Sequence, residues 1–234
     1  FPINLMTLHQ VWGVTTPDDA IKKLNEVRIP CDNPRNLEEW ILSQVGPEIY
    51  EIFIRGYTMK QWMRDPKDLP ASIIKRLPIR MTFDDNYFND TDQGIPKEGY
   101  TNIFKGMLQG CEIAIGEDYF SNRDRWNSMA KRVVYTGKID EFFNYKFGDL
   151  EYRSLRFEEE RREGDFQGNA IINYGERAVP FTRITEHKHF TPERLEKLTS
   201  TIYTREYPIP WSRDATPYYP IGDDKNNEVY RMYK

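Results

Sequence analysis

Several things are scarce in these 234 residues, and each scarcity removes a class of protein. The two cysteines, Cys31 and Cys111, lie too far apart for a metal or thiol-redox motif. So few thiols suit a reducing compartment, not a disulfide scaffold. No apolar run approaches the ~18 residues that a membrane-spanning helix needs, and mean hydropathy is −0.76. Neither charge sign is in useful surplus: 33 Lys+Arg face 37 Asp+Glu, a formal charge of −4. Without a basic excess the chain has no general grip on a nucleic-acid backbone. Histidines number three, and one pair in Thr185-Glu186-His187-Lys188-His189 has the spacing of one strand face. No third ligand is evident beside that pair, so no metal is assigned. Fourteen glycines are present, yet none falls in G-x-G-x-x-G or G-x-x-x-x-G-K-[ST]. The chain therefore carries no recognisable glycine turn for a phosphate. H-E-x-x-H and G-x-S-x-G are absent as well.

What remains is a globular composition: 38% hydrophobic, 30% charged and 14% aromatic, enough to build a sizeable core. The chain opens at Phe1 without a basic-then-apolar leader, and its close at Asn227–Lys234 reads as a helix cut partway. The expectation is a fragment of something longer.

The first hundred residues have helical texture. Thr16-Pro17-Asp18-Asp19 supplies a capping hydroxyl, a first-turn proline and first-turn acids, with Ala20, Ile21, Leu24 and Val27 on one face. This predicts a helix near 17–28. Asn36 caps a second, stepping through Leu37, Ile41 and Val45, and Gly46-Pro47 ends it and starts a third carrying Ile49, Ile52 and Phe53. From 64 to 98, prolines and acids predict a long mobile loop, with a short helix at Ala71–Arg76 inside it. Tyr100–Gly110 returns to helical spacing. Beyond it, Ile113–Ile115, Val133–Tyr135, Phe142–Tyr145, Tyr152–Phe157 and Ala170–Tyr174 read as strands separated by turns. A short helix is expected at Pro192–Leu198, and 203–220 is a tyrosine- and proline-rich segment. The class is α+β: a helical bundle over roughly 5–75 joined to an antiparallel sheet mainly within 145–190.

Aromatics and arginines recur together, in Gly56–Trp62, around Lys75-Arg76 and Arg80, and in Val179–Arg183 and Thr216–Pro220. Tyr and Trp can stack on a heterocycle, and Tyr hydroxyls with Arg forks can bind phosphate oxygens. A nucleotide diphosphate needs both sets. On composition alone the more economical account is that the aromatics are core and the arginines solvated surface.

Longer motifs change that balance. Gly56-Tyr57-Thr58-Met59-Lys60-Gln61-Trp62, Asp65–Ala71, Lys75–Arg80, Asp84–Phe88, Gln93–Pro96 and Gly99-Tyr100-Thr101 closely resemble UDP-galactopyranose mutase. Pro180-Phe181-Thr182-Arg183-Ile184-Thr185-Glu186-His187-Lys188 and Pro217-Tyr218-Tyr219-Pro220-Ile221 are similar to the same family. The likeness runs over nearly the whole chain in the family's order. It implies a cytoplasmic flavoenzyme that interconverts UDP-galactopyranose and UDP-galactofuranose for cell-surface glycans. Reduced FAD attacks the anomeric carbon through N5, UDP leaves, and the sugar ring opens and recloses; the cofactor thus carries the chemistry and no side chain is assigned as catalytic.

By the same resemblance Tyr57 stacks on uracil with Phe53 as a second wall, and Trp62 lies at the base of the mobile loop. Arg76 swings in to the diphosphate, Arg183 meets it from the sheet, and Tyr87 and Tyr219 donate hydroxyls. The family's FAD fingerprint and its C-terminal flavin-contacting segment are missing, so the Rossmann-like FAD domain is expected to be mostly absent. Residues 1–98 would form a helical substrate-binding domain with its loop at about 64–98. Residues 99–145 would pack on the FAD domain, and 146–234 would hold the sheet and a truncated end. Cofactor-binding residues are left unassigned, no flavin is expected on the fragment, and the fragment is expected to be inactive. The nucleotide sugar is the expected partner, nucleic acid and membrane are not, and a homodimer is compatible. Two alternatives stand: a standalone nucleotide-sugar-binding module, or another amine-oxidase-like flavoenzyme.

Overall fold

The computed structural model describes residues 3–234; Phe1, where the chain opens, lies outside them. The backbone gathers into two compact units. One combines the residues up to Asp92 with Leu150–Glu228, the other Gln93–Asp149 with Val229–Lys234.

Caps decide where the first unit's helices begin. In α1 (Leu5–Trp12) the Asn4 side chain accepts the Thr7 amide, and Gly13 closes the helix in the left-handed region. α2 (Pro17–Val27) has the predicted Thr16 cap on the Asp19 amide, and α3 (Leu37–Ile49) the predicted Asn36 cap on the Glu39 amide. At Gly46 the backbone leaves the helix, with φ 77° and ψ 176°, and Pro47 opens the next turn. The expected stop and restart is therefore a kink. A Cβ on Gly46 would lie 2.6 Å from the Val27 carbonyl oxygen, so only glycine permits this approach of α2 and α3. The run continues through a π-helical stretch, Tyr50–Arg55, into α4 (Gly56–Trp62). Leu8, Leu24, Leu37, Ile41, Val45 and Ile49 are all 1% exposed or less. Each such side chain stabilises the fold by about 1.5–3 kcal/mol.

The tract after α4 is partly tied down. Its expected helix at Ala71–Arg76 is a short 3-10 turn, Ala71–Ile73, continued by turns in which the Lys75 amide meets the Ala71 carbonyl and the Leu77 amide that of Ile74. Leu69 is buried and its carbonyl accepts the Leu37 amide at 2.8 Å. Ile79 pairs with Ile3 in a parallel bridge, and the Asn4 amide group donates to Asp85 Oδ1 at 2.6 Å.

Five antiparallel strands complete this unit: β1 (Tyr152–Glu163), β2 (Ile171–Asn173), β3 (Arg183–Glu186), β4 (Ser200–Ile209) and β5 (Tyr219–Pro220). They lie in the order β2-β3-β4-β1-β5. The predicted antiparallel sheet is present but reaches further along the chain than expected. The tyrosine- and proline-rich segment supplies most of β4, the long partner of β1, and β5 as well. Pro208 lies beyond Glu206, the last residue of β4 for which Arg183 of β3 is the partner; there its missing amide has one neighbouring strand to serve. A second difference concerns His187 and His189. β3 stops at Glu186 and a 3-10 turn follows, so the two imidazoles do not share a strand face.

In the second unit α5 (Tyr100–Met107) is where the spacing predicts it, followed by α6 (Arg123–Met129) and α7 (Ile139–Phe142). The strands expected at Ile113–Ile115, Val133–Tyr135 and Phe142–Tyr145 are absent. Ile115 is 92% exposed and Val134 85%; a strand needs neighbouring edges for its amides and carbonyls, and no described strand pairs with them. Phe142 ends α7, and Asn144 and Tyr145 have φ of 51° and 55°, which no strand ladder accepts. Aromatic packing holds this unit instead: the Arg123 guanidinium lies 4.4 Å from the Phe142 ring centroid, and Tyr119 stacks on Phe142. α8 (Asp224–Tyr233) crosses the division between the units, and its Tyr233 hydroxyl donates to the Gly148 carbonyl at 2.6 Å. No helix among the described residues is long and apolar enough to cross a membrane.

Candidate functional site

α4 and the sheet meet through side chains separated widely in sequence. Arg183, at the start of β3, donates from Nη2 to the Tyr57 hydroxyl of α4 at 2.8 Å. Its Nε lies 3.6 Å from Glu206, its register partner on β4. Glu206 in turn accepts Arg153 of β1 at 2.7 Å and the Thr182 hydroxyl at 3.2 Å. Arg153 lies beneath Tyr219 of β5, 5.8 Å from its ring centroid and next to it in register. Burial works against the charge of Arg183, but Tyr57 and Glu206 outweigh it and hold the guanidinium above its ordinary value. Two guanidiniums on one carboxylate leave a positive surplus. The Nε atoms of both arginines are buried and donate no hydrogen bond. Such a group is suited to an anion with several acceptor oxygens.

Of the residues expected in the site, the structure brings together Tyr57, Arg183 and Tyr219. Phe53, one helical turn before Tyr57, is half-buried and packs against the helical core. Trp62 borders a cleft of about 280 Å³ with Arg64, Glu151, Trp211 and Arg153, so this cleft adjoins the site through Arg153. There Arg64 bridges Glu151 and Asp223. Arg76 is exposed and has no hydrogen bond or ion pair with the described residues. Tyr87 packs edge-on against Phe88 at 4.8 Å, and no contact joins either residue to Arg183. Arg80, by contrast, is spent on its own loop: it donates to the Asn86 carbonyl and to Asn89, and pairs with Asp84.

Sequence reasoning missed Arg153 and Glu206. A signal was available for Arg153, a charge set inside the predicted strand Tyr152–Phe157, where burial demands a partner; Glu206 lies in a segment that does not read as a strand. Nothing local said that the partner would be shared.

The histidine region holds a different arrangement. Asp165, Glu186 and His189 bring ligand-type atoms within 4.8 Å of one another. Burial would raise the Glu186 pKa, but the amides of Phe166, Gln167 and Gly168 all donate to its carboxylate and hold it at about 2. Asp165 is already paired with the Lys188 ammonium. The negative charge is thus consumed by amides and a lysine, and the cluster locks a turn.

A family model described as UDP-galactopyranose mutase matches residues 52–234. A probable UDP-galactopyranose mutase of Klebsiella pneumoniae is 42% identical over 223 residues, covering 94% of this chain and 57% of the relative. A dTDP-fucopyranose mutase of Escherichia coli is 35% identical over 241 residues, covering 100% and 63%. The chain therefore spans less than two thirds of the length of these relatives. A solved structure of reduced UDP-galactopyranose mutase matches with a TM-score of 0.53 at 15% identity, over 92% of this chain and 64% of that one. At that identity the likeness carries the fold alone.

Proposed function

The chain belongs to the UDP-galactopyranose mutase family, and we propose that it provides the nucleotide-diphosphate-binding part of an isomerase interconverting UDP-galactopyranose and UDP-galactofuranose in the cytoplasm. The observation that carries this is the Tyr57–Arg183–Glu206–Arg153–Tyr219 chain, a half-buried aromatic face joined to a cationic surplus.

In this proposal Tyr57 and Phe53 hold the uracil, and Arg183 takes the diphosphate with the hydroxyl of Tyr219. Glu206 keeps both guanidiniums aimed, so little reorganisation is required when the ligand enters. As UDP departs from the anomeric carbon, negative charge grows on the diphosphate, and a fixed guanidinium stabilises it more than it stabilises the bound substrate. Arg76 and Tyr87 join from the tract after α4 when it closes, while Trp62 borders the sugar side.

The resemblance implies reduced FAD, and the residues present do not fit its pyrophosphate. The closest glycine pairs, Gly106 with Gly110 and Gly164 with Gly168, are four apart, and no G-x-G turn opens a helix. We assign the flavin to the portion of the relatives that this chain does not span.

The test is turnover by the protein as its gene encodes it, with reduced flavin, followed by chromatography of the nucleotide sugars. Conversion of UDP-galactopyranose to the furanose is expected. The E. coli relative named dTDP-fucopyranose mutase makes dTDP-fucopyranose the substrate to run beside it. UDP binding without any turnover would instead favour the binding-module alternative.

A further inference from the structure

The site described above leaves Lys60 of α4 without a role, although it lies three residues after Tyr57, on the same side of the helix. Its ammonium donates to three backbone carbonyls: Tyr174 at 2.7 Å, Val179 at 3.1 Å and Phe181 at 3.0 Å. All three belong to the turn that connects β2 to β3. An ammonium has three donors, so every one is spent on this turn.

Tyr174 packs edge-on against Phe181 across the ends of the turn at 4.8 Å, and Phe181 against Tyr207 of β4, but the turn's backbone bonds are few. Inside it the Tyr174 amide pairs with the Thr182 carbonyl at 3.0 Å and the Val179 amide with Glu176 at 3.3 Å. From outside, the Thr182 amide reaches the Glu206 backbone at 2.9 Å. On the helix side the backbones nearly touch: a Cβ on Gly56 would stand 2.3 Å from the Gly175 carbonyl oxygen, and one on Gly175 3.0 Å from that of Ile52. Two residues after the last clamped carbonyl comes Arg183. Its guanidinium returns to Tyr57, one turn before Lys60 on α4.

We propose that Lys60 is a positioning residue: by clamping the 174–181 turn to α4, it fixes where Arg183 stands relative to Tyr57, and so sets the spacing between the phosphate-binding and base-binding parts of the site. The inference rests on the assignment of Tyr57 and Arg183 to a nucleotide diphosphate. Burial holds the Lys60 pKa below its ordinary value, with Glu176 acting the other way. The charge is nevertheless the form that can serve three carbonyls at once. A methionine of similar length would fill the same space and leave the three carbonyls without their donor.

The experiment is a UDP titration by calorimetry on the gene-encoded protein, in a double-mutant cycle of Lys60→Met with Arg183→Ala. Lys60→Met is expected to weaken UDP binding about tenfold when Arg183 is present and less than twofold when it is alanine. A loss of equal size in both backgrounds would overturn the proposal, as would unchanged affinity in Lys60→Met where Arg183→Ala weakens binding. Lys60→Gln, which keeps two of the donors, gives the same cycle if the methionine variant does not fold, with a smaller coupling expected. An Arg183→Ala variant that binds UDP as well as the parent would refute the site assignment itself, and this inference with it.

Discussion

Arg183 and Arg76 are proposed to meet the same diphosphate, yet the regions that carry them are built on opposite terms. Arg183 stands where β3 leaves a turn clamped to α4, held by Tyr57 and Glu206 and only partly open to solvent. Arg76 stands in a tract whose anchors, Leu69 on one side and the Ile3–Ile79 bridge on the other, leave the arginine itself exposed and unpaired among the described residues. The first guanidinium has spent its conformational entropy in folding; the second has still to lose it on binding, about 2 kcal/mol for so long a side chain. One region offers a preset charge and the other a charge to be delivered.

The largest effect expected is on the fixed side, at Glu186 near the end of the same strand as Arg183. In the unfolded chain this carboxylate titrates near 4.5, and in the native protein near 2. The native state therefore binds fewer protons between those values. Stability falls as pH drops from about 5 toward 2, and the contribution is gone below that. A lowering of that size corresponds to roughly 3 kcal/mol. Glu186→Gln should lose stability at pH 7 and show a flatter decline toward pH 3 than the parent, as measured by denaturant melts. Parallel curves for the two proteins would mean that the three amides do not depend on the charge.

Next in size are the arginines themselves. Arg183→Ala and Arg76→Ala should each lower kcat/KM by roughly ten- to a hundredfold, since a charge-assisted hydrogen bond contributes about 1.5–3 kcal/mol. The manner should differ. Arg76→Ala should slow turnover as well as weaken binding, because its guanidinium arrives with the tract, while Arg183→Ala should act without altering loop motion. Steady-state kinetics on reduced enzyme would detect this, and wild-type kcat/KM in either variant would remove that arginine from the site. Lysine replacements should rescue only in part, since a point charge lacks the fork.

A smaller effect is expected at Gly56→Ala. The helical angles suit alanine, but its Cβ meets the Gly175 carbonyl. The strain should cost about 1–2 kcal/mol, and thermal melts should show it. A variant as stable as the parent would mean that the turn yields easily, which would undercut the contrast between a fixed and a delivered arginine.

Much of the helical unit was legible because its signals are local. Thr16 and Asn36 cap where they stand, and Gly46-Pro47 breaks the helix where it stands, through contacts within a few residues. β4 was not legible: its tyrosines and Pro208 look like a loop until β1 and β3 lie on either side of it. The reverse happened at Val133–Tyr135, where a β-rich run has no described strand to pair with. In the site, Tyr57 and Arg183 stood out through the motifs around them. Arg153, Glu206 and Lys60 did not, since each acts through a partner at least 23 residues away.

The sequence by itself determined the caps, the kink, the α+β class, the lack of a dinucleotide cradle and the family, because each depends on neighbouring residues or on an ordered series of motifs. Only the tertiary structure decided that one carboxylate holds two arginines and that one ammonium holds a turn. Strand pairing and buried ion pairs join residues whose spacing along the chain carries no period, so their energies exist only once the sheet has closed on α4.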